Sequence, residues 1–264
     1  MRIPLFQVDA FTQQPFTGNP AAVCPLNGWL DDRMLRKVAA ENNLSATAFL
    51  VLQGNQYQLR WFTPQCEIKL CGHATLAAGY VVLNILQPGI DTVRFETRFR
   101  GALSVYRNGD LFSMDFPAMF AKTCAKPPDA VVHALGPSPP PSEVLEVNET
   151  YIAVYEADSA IRNIRPDFAR LEQLDPFAVA VTAPGDEVDF VSRYFAPSYG
   201  VPEDPVTGSV HCALTPYWAR RLGKTELHAR RVSDRGGELW CEIAGERVVL
   251  KGAAVLTLRG SLLL

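Results

Sequence analysis

Two short stretches of this 264-residue chain carry the side chains best suited to moving a proton. The first is Cys71-Gly72-His73 and the second runs Glu203-Asp204-Pro205-Val206-Thr207-Gly208-Ser209, with His211 and Cys212 just beyond. An imidazole titrates near neutral pH and serves as general acid or base, a carboxylate as base, and a thiol at a helix start as proton carrier. Gly72 and Gly208 let a ligand approach the backbone closely. Each stretch opens an apolar segment predicted to be helical. The free N–H groups and positive dipole end there favour an anion such as a substrate carboxylate. Plainer roles compete: His73 as a hydrogen-bonded structural histidine, Ser209 as a first-turn residue, Asp204 as a helix cap, Cys71 as a small core residue. Glu203 adds a carboxylate beside Asp204, but neighbours in an extended segment point apart. His211 and Cys212 lie inside the apolar segment and are expected in the core. No GxGxxG, Walker or GxSxG frame is present, so nucleotide binding and a serine nucleophile elbow have no support.

The elements that must hold these residues are written twice. "RWFTP" at Arg60–Pro64 returns as "RYFAP" at Arg193–Pro197; Gly72 returns as Gly208; "RGALSVYRNGD" from Arg100 resembles "RGGELWCEIAGE" from Arg235. Each copy predicts an aromatic strand, a loop, a glycine and an apolar helix. A hairpin follows, turning at Asn108-Gly109-Asp110 or Ala244-Gly245-Glu246. The segment Ala74–Leu83 has no polar face, so it should be a buried helix. The expected fold is therefore α+β, with two pseudo-symmetric halves, each a barrel-like sheet wrapped round a central helix. Such halves normally place a site in the crevice between them. The Pro-rich stretch Lys126–Glu143 is expected to be a connector and surface loop.

Composition excludes several classes. Hydrophobic content of 48% and charged content of 20% suit a soluble globular protein. The net charge of −3, without a basic run, argues against a nucleic-acid partner. No apolar stretch is long enough to span a membrane and no signal peptide is indicated, so a cytoplasmic location is expected. Six cysteines without CxxC spacing point to reduced thiols and to no zinc site.

"FQVDAFTQQPFTGNPAAV", "ENNLSATAF", "CGHATLAAGY" and "EDPVTGSVHCALTPYW" resemble motifs of the PhzF-like isomerase family. The resemblance runs nearly end to end. It implies a fold similar to diaminopimelate epimerase, with an N-terminal half of residues 1–117 plus 255–264 and a C-terminal half of 118–254. It also implies a homodimer, a small carboxylic acid as substrate, and no cofactor. In the family a glutamate takes a proton from carbon and returns it elsewhere, moving a double bond. By motif the assisting groups fall on His73, Asp204 and Ser209, with Gly72, Gly208, Ser45 and Cys71 binding substrate. The glutamate's own position is occupied by Ala46. Without that residue the segment Ser45-Ala46-Thr47 reads as plain turn chemistry at a helix-to-strand junction. Glu41, five residues earlier and predicted on the preceding helix, is no simple substitute. Three readings follow: an isomerase scaffold inactivated at Ala46, by nature or by design; an epimerase- or racemase-like enzyme using Cys71; or a non-catalytic binding protein for a small carboxylate. "EDPVTGS" lacks the second thiol that two-thiol racemisation needs.

Overall fold

In the computed structural model, which describes residues 1–136, 139–174 and 177–264, the chain divides into two units. One comprises Met1–Asp115 with Leu250–Leu264, the other Phe116–Val249. These cuts fall two residues before the first sequence-based boundary and five before the second.

The first unit begins with β1 (Arg2–Ala10), β2 (Asn19–Leu26), α1 (Asp32–Asn42) and β3 (Ala46–Gln53). It continues with β4 (Gln56–Phe62), β5 (Glu67–Ile68), α2 (Gly72–Val81), a single π-helical turn (Val82–Leu86), β6 (Thr92–Thr97) and β7 (Gly101–Asn108). β8 (Leu111–Pro117) leads out of it. Asp31 caps α1, its carboxylate accepting the Met34 N–H at 2.9 Å, and Asn43 ends the helix in the left-handed conformation. The chain is thus turned by residues 43–45, and Ala46 already belongs to a strand. The turn expected at Ser45–Thr47 is displaced towards the helix, because Asn43 supplies the positive φ and Ala46 pairs with Ala21 in a parallel ladder.

Every residue of α2 except Tyr80 is buried. The helix touches β1, β2, β3, β7 and the last strand of the chain, Ala254–Leu263. Laid flat, the strands between that last strand and β7 would span about 29 Å, far more than the width of one helix, so the sheet curls round it. Gly79 makes the closest approach possible: a Cβ there would lie 2.5 Å from Val105 Cγ1.

The second unit contains β9 (Lys122–Thr123), α3 (Asp129–His133), β10 (Glu143–Val147), β11 (Thr150–Val154), α4 (Asp158–Arg162) and α5 (Phe168–Glu172). There follow β12 (Ala178–Pro184), β13 (Phe190–Ala196), a 3-10 turn (Pro197–Tyr199), β14 (Val201–Glu203), α6 (Gly208–Leu222), β15 (Glu226–Arg231) and β16 (Gly237–Ala244). β17 (Arg247–Gly252) returns the chain to the first unit, where β18 (Ala254–Leu263) pairs antiparallel with β1 along its length.

The ladders of the two units repeat in order and in sense. β1–β2 is antiparallel, β2–β3 parallel, β3–β4 and β4–β5 antiparallel, β4–β6 parallel, and β6–β7 antiparallel. β10–β11, β11–β12, β12–β13, β13–β14, β13–β15 and β15–β16 follow the same sequence of senses. Registers match as well, with Ala46 opening β3 against β2 where Ala178 lies opposite Thr150 in the second unit.

The Pro-rich stretch is more than a loop. α3 starts after Pro128, and Val131, Ala134 and Leu135 are buried in the core beneath β11 to β13. Their i, i+3, i+4 spacing is an apolar helical face, hidden in the sequence by the prolines on either side. Residues 137 and 138 of that stretch lie outside the described residues. Inside α6, Pro216 has no N–H for the Cys212 carbonyl, which instead accepts the Met119 N–H at 2.9 Å. Among the described residues no helix is long and apolar enough to cross a membrane.

Candidate active site

The candidate residues divide between the units: Ser45, Ala46, Cys71, Gly72 and His73 in the first, Asp204, Gly208 and Ser209 in the second. In the first unit they gather round one imidazole. Cys71 is the extended N-cap of α2, and no side chain caps the helix there. His73, 6% exposed, has its Nδ1 3.5 Å from Cys71 Sγ and its Nε2 3.1 Å from Ser45 Oγ. Ser45 in turn donates to Asn19 Oδ1 at 2.9 Å. One hydroxyl proton serves one acceptor at a time, so with Asn19 accepting it, His73 Nε2–H donates to Ser45 Oγ. The resulting chain runs from the Cys71 thiol through the imidazole and the Ser45 hydroxyl to the Asn19 amide oxygen. Such a chain fixes the orientation and tautomer of the imidazole.

Asn19 was not singled out from the sequence, although it stands in the quoted "FTGNPAAV" motif; a fully buried asparagine beginning a strand is the feature that identifies it. Ala46, adjacent to Ser45, is fully buried. Glu41 is exposed in the last turn of α1.

In the second unit the two carboxylates take different partners. Glu203 receives two parallel N–H bonds from Arg193, both at 2.8 Å. Asp204 accepts the Thr207 hydroxyl at 2.6 Å, while its own N–H goes to the Tyr194 carbonyl at 3.0 Å. Thr207, and not Asp204, is the N-cap of α6, and its side chain makes no capping bond to the helix. Gly208 opens that helix as Gly72 opens α2. Ser209 is exposed, whereas His73 at the matching place is buried.

His211 and Cys212 are buried in the core. His211 Nδ1–H donates to the Thr207 carbonyl at 2.8 Å, and burial, reinforced by the nearby Arg231 guanidinium, holds its pKa down at about 3. It is a neutral, structural histidine at physiological pH. Arg231 is a second residue not singled out from the sequence. Its guanidinium is 1% exposed and donates to the Asp204 carbonyl at 2.8 Å and the Pro205 carbonyl at 3.2 Å. Among the described residues no three His, Cys, Asp or Glu side chains gather in a way that would hold a metal.

Residues 8–260 match the PhzC-PhzF family, described as phenazine biosynthesis-like proteins. The chain belongs to this family. A relative named as an uncharacterized isomerase of Pseudomonas aeruginosa is 52% identical over 99% of both chains. The crystal structure of a PhzF-family phenazine biosynthesis protein from Enterococcus faecalis superposes with a TM-score of 0.94 at 42% identity, covering 100% of each chain. A structure described as a predicted epimerase from Pseudomonas aeruginosa has a TM-score of 0.72 at 21% identity, again over 100% of both chains, and shows the shared fold alone. The α+β architecture with doubled ladders is thus the fold of this PhzC-PhzF family member.

Proposed function

We propose that the chain is an isomerase-type scaffold that binds a small carboxylic acid, and that alanine at position 46 leaves it without its proton shuttle. The observation carrying this reading is the pairing of a fully buried Ala46 with the adjacent Ser45–His73 hydrogen bond. A glutamate at 46 would stand one residue from a hydroxyl that already contacts a buried imidazole. In the reaction, that carboxylate would break a C–H bond of the substrate. The electron pair left behind would shift the double bond, and the same proton would return to a different carbon. No cofactor enters this scheme. In each unit taken by itself the N-terminus of the helix favours a carboxylate by its dipole, with His73 in the first turn of α2, Ser209 in the first turn of α6 and Asp204 just before α6.

General acid–base catalysis supplies a factor of ~10² to 10⁴, so the chain as written should hold substrate with little or no turnover. The test is Ala46→Glu, assayed by deuterium incorporation from D2O into small cyclic and amino carboxylates, with thermal shift to score binding. A gain of roughly 10²-fold or more in exchange is expected. A folded Ala46→Glu protein that binds a carboxylate yet exchanges nothing would favour the non-catalytic binding reading.

One observation favours a second reading. Cys71 Sγ lies 3.5 Å from His73 Nδ1, a thiol–imidazole contact able to carry a proton without residue 46. Exchange by the unaltered chain, lost in Cys71→Ser, would establish it.

A further inference from the structure

Both units contain the same arginine–carboxylate clamp immediately before the segment that leads to α2 in the first and to α6 in the second. Arg60 donates two parallel N–H bonds to Glu67 at 2.7 Å each, as Arg193 does to Glu203 at 2.8 Å each. Arg60 lies over the Phe62 ring at 5.1 Å, and Arg193 over the Phe195 ring at 5.0 Å. In each unit the carboxylate residue is the ladder partner of that phenylalanine, Glu67 opposite Phe62 and Glu203 opposite Phe195. The repeat "RWF…E" and "RYF…E" is therefore one device used twice. A short strand is folded back and pinned by a planar fork, so the residues after it start from a fixed point.

The difference between the units that bears on Asp204 lies at the last pair of the matching parallel ladders. In the first, Leu59 pairs with Thr97 on β6; in the second, Ser192 pairs with Arg231 on β15. Arg231 thus occupies the place of a threonine and brings a buried guanidinium to the segment that carries Asp204. It donates to the carbonyls of Asp204 and Pro205, and to Ser192 Oγ at 3.4 Å. A buried cation is costly, and its pKa is pulled down to about 10 by that burial. Three acceptors in different directions offset the cost, and a planar fork reaches them where an ammonium does not.

We infer that Arg231, acting with the Arg193–Glu203 clamp, is a positioning residue that locks the Glu203–Pro205 backbone and so fixes Asp204 and the start of α6. The inference rests on the reading that Asp204 takes part in the site, but its test does not require turnover. Hydrogen exchange read by mass spectrometry on the full chain compares the unaltered protein with Arg231→Lys, Arg193→Lys and the milder Glu203→Gln. Each is expected to speed amide exchange across residues 203–209 roughly tenfold or more, leaving β12 within about twofold. Unchanged exchange at 203–209 in Arg231→Lys, or an equal rise in β12, would overturn the inference. In an Ala46→Glu background that turns over, Arg231→Lys should lower kcat about tenfold with KM within about threefold, the signature of misplaced chemistry, not lost binding. If Ala46→Glu is inert, the exchange result still decides the positioning role. If it is active and Arg231→Lys changes neither exchange nor kcat, the positioning role fails while the functional reading stands.

Discussion

Ser45 Oγ and His73 Nε2 meet at 3.1 Å across 28 residues of sequence, joining the entry of β3 to the first turn of α2. Ser45 is the middle of a relay, since it also donates to Asn19. Removing its hydroxyl takes one hydrogen bond from a buried imidazole and one from a buried amide. Ser45→Ala should therefore cost about 1–3 kcal/mol in urea unfolding. A loss under a few tenths of a kcal/mol would show that the relay is not held in solution.

His211 makes stability depend on pH. Its folded-state pKa of about 3 lies below the unfolded value of 6.5, so the unfolded chain binds the extra proton. The contribution is complete above 6.5 and falls as pH drops from there towards 3, by up to about 1.4 kcal/mol per pH unit. His211→Asn keeps a donor for the Thr207 carbonyl and does not titrate. The loss of urea stability between pH 7 and 5 should be smaller in the variant. Equal slopes would remove His211 as the cause.

Gly79 packs α2 against β7 with no room for a methyl group. The φ there is ordinary, so the cost of alanine is steric. Gly79→Ala should destabilise by about 1–3 kcal/mol, and Val105→Ala combined with it should recover part of that loss. Simple additivity of the two changes would contradict the contact.

Thiol labelling should separate the cysteines. Cys66 is exposed, while burial pushes Cys24 and Cys241 up to about 12 and removes them from solvent. Native protein treated with iodoacetamide at pH 8 should label Cys66 first, with Cys24 and Cys241 modified only after unfolding. Early labelling of Cys241 would contradict its place in the core.

Features set by local pattern were legible in the chain. The apolar run from Ala74, the aromatic strands and the Gly109 and Gly245 turns announce themselves through side-chain periodicity and a required positive φ. Their recurrence at one spacing was enough to expect a doubled α+β fold. The start of β3 at Ala46 and the short helix α3, which buries Val131, were hidden, because neighbouring turn formers and prolines outweigh a short apolar face in any local reading.

The sequence by itself determined which residue types stand at the two helix starts, and that position 46 carries no ionisable group. It could not show that Ser45 meets His73, that Glu203 belongs to Arg193, or that Arg231 holds the Asp204 carbonyl. Those pairings lie 28, 10 and 27 residues apart in sequence. They follow from ladder register and from where a buried side chain finds acceptors. Register and burial are properties of the packed sheet, so only the tertiary structure decided them.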